Sequence, residues 1–325
     1  MIRKVLWFAV LAAALVGERA YAISTLDDAI RNAPRIVVSP YRSPSSNTVL
    51  RNLSRPQSGI TPNSLLLRAG TADEGPALDE PLQTVPAQLA PWMVALSEGE
   101  DLKTGFACGG VLVAPDWVLS AAHCAFHWME RWPVDFKLFA FTETAAIGKP
   151  GKRFPIAEIV PHPGYDPETL QNDLVLLRLD IRDQPPSMPI RIEGPPIATQ
   201  GGNVITVLGW GLSTNFEDEP HSQRLQLLQF AILDDAVCFG ASHFPKLRNA
   251  NVFCGRSVTK YHCVCFRFGG SPLVLYDSDA RLYLAGLVAW PAVCPNDWRE
   301  PNPFLDIQRY VPWIKSITGI SAVSR

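Results

Sequence analysis

Seven cysteines, and a histidine set beside one of them, are the residues with the most specific chemistry to offer. The cysteines are Cys108, Cys124, Cys238, Cys254, Cys263, Cys265 and Cys294, and His123 directly precedes the second of them. Thiolates at C-x-x-C spacing bind zinc, whereas oxidised thiols staple a fold. No pair here has the zinc spacing, so a metal site is not expected. The N-terminus decides in favour of oxidation. Arg3 and Lys4 are followed by an apolar run from Val5 to Val16 and by Ala20-Tyr21-Ala22, a small-x-small cleavage pattern. The apolar run, at 12 residues, is short of the roughly 20 needed to span a bilayer. Residues 1–22 therefore read as a signal peptide, with the chain secreted to an extracellular or periplasmic space from near Ile23. Disulfides are permitted there. Seven is odd, so at least one thiol is left over, and spacing alone leaves the connectivity open.

The elements that hold these residues follow from composition. Of 325 residues, 47% are hydrophobic and only 18% are charged, which suits a buried core and excludes disorder for the bulk of the chain. A net charge of −2 gives no footprint for nucleic acid. No later stretch approaches the length of a membrane span. Residues 23–84 form a different region, rich in Pro and Ser. Its part from Ile23 to Gly70 holds six Arg, no Lys and two Asp, a composition that predicts an extended or flexible leader. Asn52-Leu53-Ser54 within it is a glycosylation sequon if the secretory route is eukaryotic.

Beyond Thr84 the pattern becomes short apolar runs separated by turns. Trp92–Leu96, Gly110–Val113, Trp117–Leu119, Leu174–Leu177 and Val204–Val207 read as strands, with Pro115-Asp116, Pro163-Gly164 and Gly201-Gly202 between them. Many short strands without intervening long helices predict an all-β sandwich or barrel pair over residues 85–325. Tyr310 to Ile317 can make one amphipathic helix that packs through Tyr310, Val311, Trp313 and Ile314.

Leu119-Ser120-Ala121-Ala122-His123-Cys124 resembles the histidine motif of chymotrypsin-like serine proteases, the trypsin-fold family. The likeness continues in order through Cys108-Gly109-Gly110, Ile159–Tyr165, Asn172-Asp173-Leu174, Leu208-Gly209-Trp210-Gly211, Val252-Phe253-Cys254, Gly270-x-Pro272-Leu273 and Tyr310-x-x-Trp313-Ile314. It spans roughly residues 88 to 318. It implies two packed six-stranded antiparallel barrels with a C-terminal helix. It also implies disulfides joining Cys108 with Cys124, Cys238 with Cys254, and Cys265 with Cys294, which leaves Cys263 as the odd thiol. His123 takes the place of the family's general base and Asp173 that of the carboxylate orienting it.

The family's nucleophile segment reads Cys-x-Gly-Asp-Ser-Gly-Gly-Pro. Here Cys265-Phe266-Arg267-Phe268-Gly269-Gly270-Ser271-Pro272 keeps the Cys-to-Pro separation and puts Gly269, which has no side chain, at the attacking position. Ser271 stands two residues further on, about 6–7 Å of extended chain. A nucleophile must come within about 2.6–3.2 Å of its base. Arg267 replaces a glycine that helps to build the oxyanion hole, and Phe268 replaces the aspartate that buries itself against the new N-terminus after activation. No Ile-Val-Gly-Gly start is present, and the nearest echo is Arg68-Ala69-Gly70-Thr71. Ala289-Trp290-Pro291 stands for Ser-Trp-Gly, Cys263 for the pocket-floor aspartate of trypsin-like members, and Asn302 for a pocket glycine. These departures point to a serine protease homologue that has lost peptidase chemistry and needs no cofactor. It would act by binding protein partners, such as active proteases or their substrates, as a decoy, inhibitor or protease cofactor. The alternative is an active trypsin-like endopeptidase that uses a displaced nucleophile, Ser271.

Overall fold

Runs of Val, Leu, Ile and Phe between turns become strands because branched and aromatic side chains pack well on a pleated surface. A computed structural model describes residues 36–37, 83–125, 137–182, 186–198, 203–211, 224–239, 251–259, 264–289 and 300–320. Six strands form the first barrel: β3 (Met93–Glu98), β4 (Phe106–Ala114), β5 (Trp117–Ser120), β6 (Leu138–Thr142), β7 (Lys152–Pro161) and β8 (Val175–Leu179). They run in the order β7-β6-β3-β4-β5-β8, and pairing of β7 with β8 closes the ring. Six more form the second: β9 (Val204–Gly209), β10 (Gln226–Ile232), β11 (Val252–Ser257), β12 (Pro272–Tyr276), β13 (Leu282–Leu287) and β14 (Asn302–Asp306). Their order is β11-β14-β13-β12-β9-β10, closed by β11 with β10. All pairings are antiparallel, so the expected two-barrel architecture is the one observed.

Each barrel is filled by its own strands. Val94, Leu96, Val111, Leu119, Phe141, Ile159 and Leu177 are buried in the first. In the second, Ile205, Val207, Phe230, Phe253, Leu273, Tyr283 and Phe304 form one apolar cluster. Each such side chain contributes about 1.5–3 kcal/mol on burial. The segment between the barrels stitches them together by alternation. Ile190 N–H donates to Leu112 of the first barrel (2.9 Å), and Leu284 of the second donates to Arg191 (2.9 Å). The Gln308 amide completes the seam by donating to Ile192 and Leu284 carbonyls at 3.0 and 2.8 Å.

The C-terminal helix spans Val311–Thr318, with Pro in its first turn and a left-handed Gly319 (φ 70°) ending it. Trp313 and Ile314 are buried as expected, Tyr310 is buried just before the helix, and Val311 is half-buried. Among the described residues no helix is long and apolar enough to cross a membrane.

Two short pieces of the leader pair with the barrels. β1 (Ile36–Val37) lies antiparallel to β7, Ile36 opposite Ile159 and Val37 opposite Glu158. β2 (Gln83–Thr84) lies antiparallel to β10, opposite Leu227 and Gln226. The rest of residues 23–84, the signal peptide expected over 1–22 and the sequon at Asn52 lie outside the described residues.

Candidate functional site

The site is built where the end of β5 meets the turn before β12. After Ser120 the chain enters a short helical turn that carries His123, and the Cys108–Cys124 disulfide ties that turn back to β4 (Cα–Cα 6.3 Å). Asp173 enters from the turn before β8, where Asn172 adopts φ 51° and Leu174 N–H bonds back to its carbonyl at 2.7 Å. The carboxylate is fully buried and holds the histidine twice. Its Oδ1 accepts from the His123 backbone N–H at 2.6 Å, and its Oδ2 lies 2.7 Å from ring Nδ1. That contact fixes the proton on Nδ1 and turns Nε2 outward as the basic nitrogen. The ring is 21% exposed, enough for a group to reach it.

Nε2 faces a bare backbone. A Cβ built on Gly269 would sit 2.7 Å from His123 Nε2, 2.9 Å from Cε1 and 3.2 Å from Cys124 Sγ. Among the described residues Nε2 has one polar contact, the Cys124 sulfur at 3.5 Å. The structure therefore brings together the three positions the sequence singled out, His123, Asp173 and Gly269, and the third supplies no hydroxyl. Ser271 is not brought to them. Its Oγ is buried and has no hydrogen-bond partner among the described residues. It is wedged between the barrels, where a Cβ on Gly109 or Gly209 would come within 2.5 or 2.6 Å of it.

The loop that displays Gly269 is held on both sides. Gly269 C=O accepts from Gly109 N–H of β4 at 2.8 Å, and Gly270 N–H donates to Val288 at 2.7 Å. Gly270 has φ 75°, and a Cβ there would collide with Ser120 Oγ and the Gly109 carbonyl, so a glycine is required. Upstream, Phe268 N–H closes a turn onto Cys265 C=O at 3.2 Å, with Arg267 at φ 68°. Phe268 is fully buried in the second barrel's core and packs on Gly209-Trp210-Gly211, where a Cβ on Gly209 would meet its ring at 2.7 Å. Asn302 is buried on β14, its amide donating to Glu300 C=O at 3.3 Å.

The family model described as trypsin matches residues 82–314 of the chain. This chain belongs to the trypsin family. Kallikrein-15 of Saguinus oedipus is 30% identical over 267 residues, which cover 79% of this chain and 96% of that protein. Human granzyme M is 30% identical over 218 residues, covering 66% and 80%. Human kallikrein-12 is 33% identical over 233 residues, covering 70% and 85%. Two of the disulfides that the trypsin-family likeness implies are formed, Cys108–Cys124 and Cys238–Cys254. Cys265 is disulfide-bonded, while Cys294, Cys263, Trp290 and Pro291 lie outside the described residues. Cys108, His123 and Cys124 offer the one grouping of metal-type ligands among the described residues, and both its sulfurs are already joined to each other.

One functional-looking group carried no signal in the sequence. His162 stacks edge-on against Tyr310 (5.3 Å) and Trp313 (4.9 Å), and burial pulls its pKa down to about 4. The same packing pushes Tyr310 up to about 12, and its hydroxyl donates to Asn172 Oδ1 at 3.0 Å. This cluster braces the turn that carries Asp173.

Proposed function

We propose that this trypsin-family chain is a secreted, non-catalytic serine protease homologue that acts by binding other proteins. One observation carries the reading: the His123–Asp173 pair is assembled, and the position it faces is Gly269, which carries no side chain to attack with. Acyl transfer by this mechanism needs a hydroxyl or thiol within about 2.6–3.2 Å of the base. The retained pair then serves the fold of the cleft floor, and the partners are active proteases or their substrates, met as decoy, inhibitor or protease cofactor. The formed disulfides suit an oxidising compartment and agree with export of residues 23–325 after removal of a signal peptide.

The competing reading, an endopeptidase with Ser271 as nucleophile, requires that buried Oγ to leave its place between Gly109 and Gly209. A serine-directed fluorophosphonate separates the two. No adduct should form on the secreted protein, and a stoichiometric adduct lost in Ser271→Ala would overturn the proposal.

A further inference from the structure

We propose that β7 between Pro155 and Pro161 is a binding edge for a short β-branched strand of a partner protein, and that the leader, seated there through Ile36–Val37, is its tethered competitor. The inference goes beyond the cleft and rests on the binding role only for the existence of a partner.

The starting observation is a strand left half covered. β6 pairs with β7 over Lys152–Pro155, and β8 pairs with it between Ile156 and Pro161. From Ile156 onward β8 takes one side of β7, and among the described residues the other side carries only Ile36–Val37. An edge of this kind is a ready template for an added strand. Its present occupant is slight. Two residues form few main-chain bonds against the entropy of ordering the chain that bears them.

Both strands set the same limits on the site. Prolines, which donate no main-chain hydrogen bond, bound the open stretch of β7 at Pro155 and Pro161 and the leader run at Pro34 and Pro40. Each pair encloses five residues, Ile156–Val160 in one case and Arg35–Ser39 in the other. Val37 is the middle residue of its run and Glu158 of the other, and these two stand opposite each other. Such agreement of length and register marks the leader run as a ligand fitted to the edge.

The residues of the edge narrow the choice of partner. Ile36 stands opposite Ile159, a cross-strand pair of β-branched residues of the kind that stabilises antiparallel sheet. Glu158 is buried and already engaged, its carboxylate 3.9 Å from Arg178 Nη1, so the middle residue of an occupant can be apolar, as Val37 is. A second copy's β7 laid within the same bounds would set Glu158 against Glu158, and like charges directly opposite are destabilising. The partner is therefore a different protein. It must displace a competitor that the 45 residues between Val37 and Gln83 keep at an effective concentration of roughly a millimolar or below.

The test uses the secreted chain and a double variant, Ile36→Pro with Val37→Pro, which removes main-chain donors from the leader run and leaves the barrels unaltered. The probe is a dye-labelled Pro-Arg-Ile-Val-Val-Ser-Pro peptide, read by fluorescence anisotropy. It should bind the variant about tenfold more tightly than wild type, whose own run competes. Binding no tighter to the variant, or to neither protein, would refute the site. N-methylation of the peptide's Ile and Val should abolish binding, and if it does not, main-chain pairing is wrong. Deuterium exchange should slow within Lys152–Pro161 when peptide is added; protection found only elsewhere would refute the location. Pro-Lys-Val-Ile-Thr-Thr-Pro, the same pattern in other residues, should bind the variant within about threefold of the first peptide. Its failure would confine the edge to the leader and overturn the partner. A variant that is dimeric by light scattering would put a second copy in the partner's place and overturn it likewise. A fluorophosphonate adduct would remove the non-catalytic reading and leave these titrations standing.

Discussion

Gly269→Ser should destabilise the protein and should not create a protease. Gly269 is not left-handed, so the backbone tolerates a side chain and the obstacle is purely one of contact. The new Cβ would meet Nε2 at 2.7 Å, against about 3.5 Å for an ordinary contact. Displacing the ring by that difference, about 0.8 Å, stretches the 2.7 Å bond to Asp173 out of hydrogen-bonding range. A bond to a buried charged acceptor contributes about 1.5–3 kcal/mol. Moving the loop instead breaks the bonds from Gly109 to Gly269 and from Gly270 to Val288. Replacing glycine also stiffens the unfolded chain, which offsets about 0.4–1 kcal/mol. The net loss is about 2 kcal/mol, or roughly 4–8 °C in Tm for a domain of this size. Calorimetry on Gly269→Ser and Gly269→Ala should give the same depression, and Gly269→Ser should show no turnover of a peptide anilide. A serine variant that melts with the wild type, or that cleaves the anilide, would show that the pocket has room and the reasoning is wrong.

Phe268→Asp buries a carboxylate among the apolar side chains that enclose Phe268 and should cost about 3–5 kcal/mol, read as a collapse of the urea midpoint. Ser271→Ala removes a buried hydroxyl that has no partner among the described residues, so chemical denaturation should find it unchanged or stabilised by up to about 1 kcal/mol; a marked loss would mean that the hydroxyl is bonded in solution. For His162 the folded pKa, about 4, lies below the ordinary 6.5, so between those values the unfolded chain holds the extra proton. Stability therefore falls as pH drops through that window, by up to about 3 kcal/mol, and His162→Phe should flatten the dependence measured by urea unfolding across pH 7 to 4.

The strands were legible as apolar runs between turns, whereas the two-barrel closure and the pairing of His123 with Asp173 came from the resemblance of ordered short motifs to the trypsin family. The place of Gly269 came from the same resemblance, with Cys265 and Pro272 fixing the count against the family's nucleophile segment. What spacing cannot convey is direction. That Ser271 Oγ points between Gly109 and Gly209, and that the Gly269 backbone abuts Nε2, depend on how two barrels approach each other. The burial of His162 comes from a helix 150 residues away in the chain, and only the folded partners Tyr310 and Trp313 reveal it. The pairing of Ile36–Val37 with β7 was likewise invisible, because two residues in a region rich in Pro and Ser carry no periodicity.

Closure of both rings bears on how such a molecule meets another protein. A sheet that ends in an open strand invites a stranger to add on through its main chain, the route that also leads to fibrils. Here β7 joins β8 and β11 joins β10, and the stretch of β7 beyond its pairing with β6 is capped by Ile36–Val37. Indiscriminate strand addition is thus closed off at these seams. Under the proposed binding role, and while that cap holds, selectivity falls to the turns between strands, where one residue changed at a time can retune the choice of companion while the twelve staves beneath stay as they are.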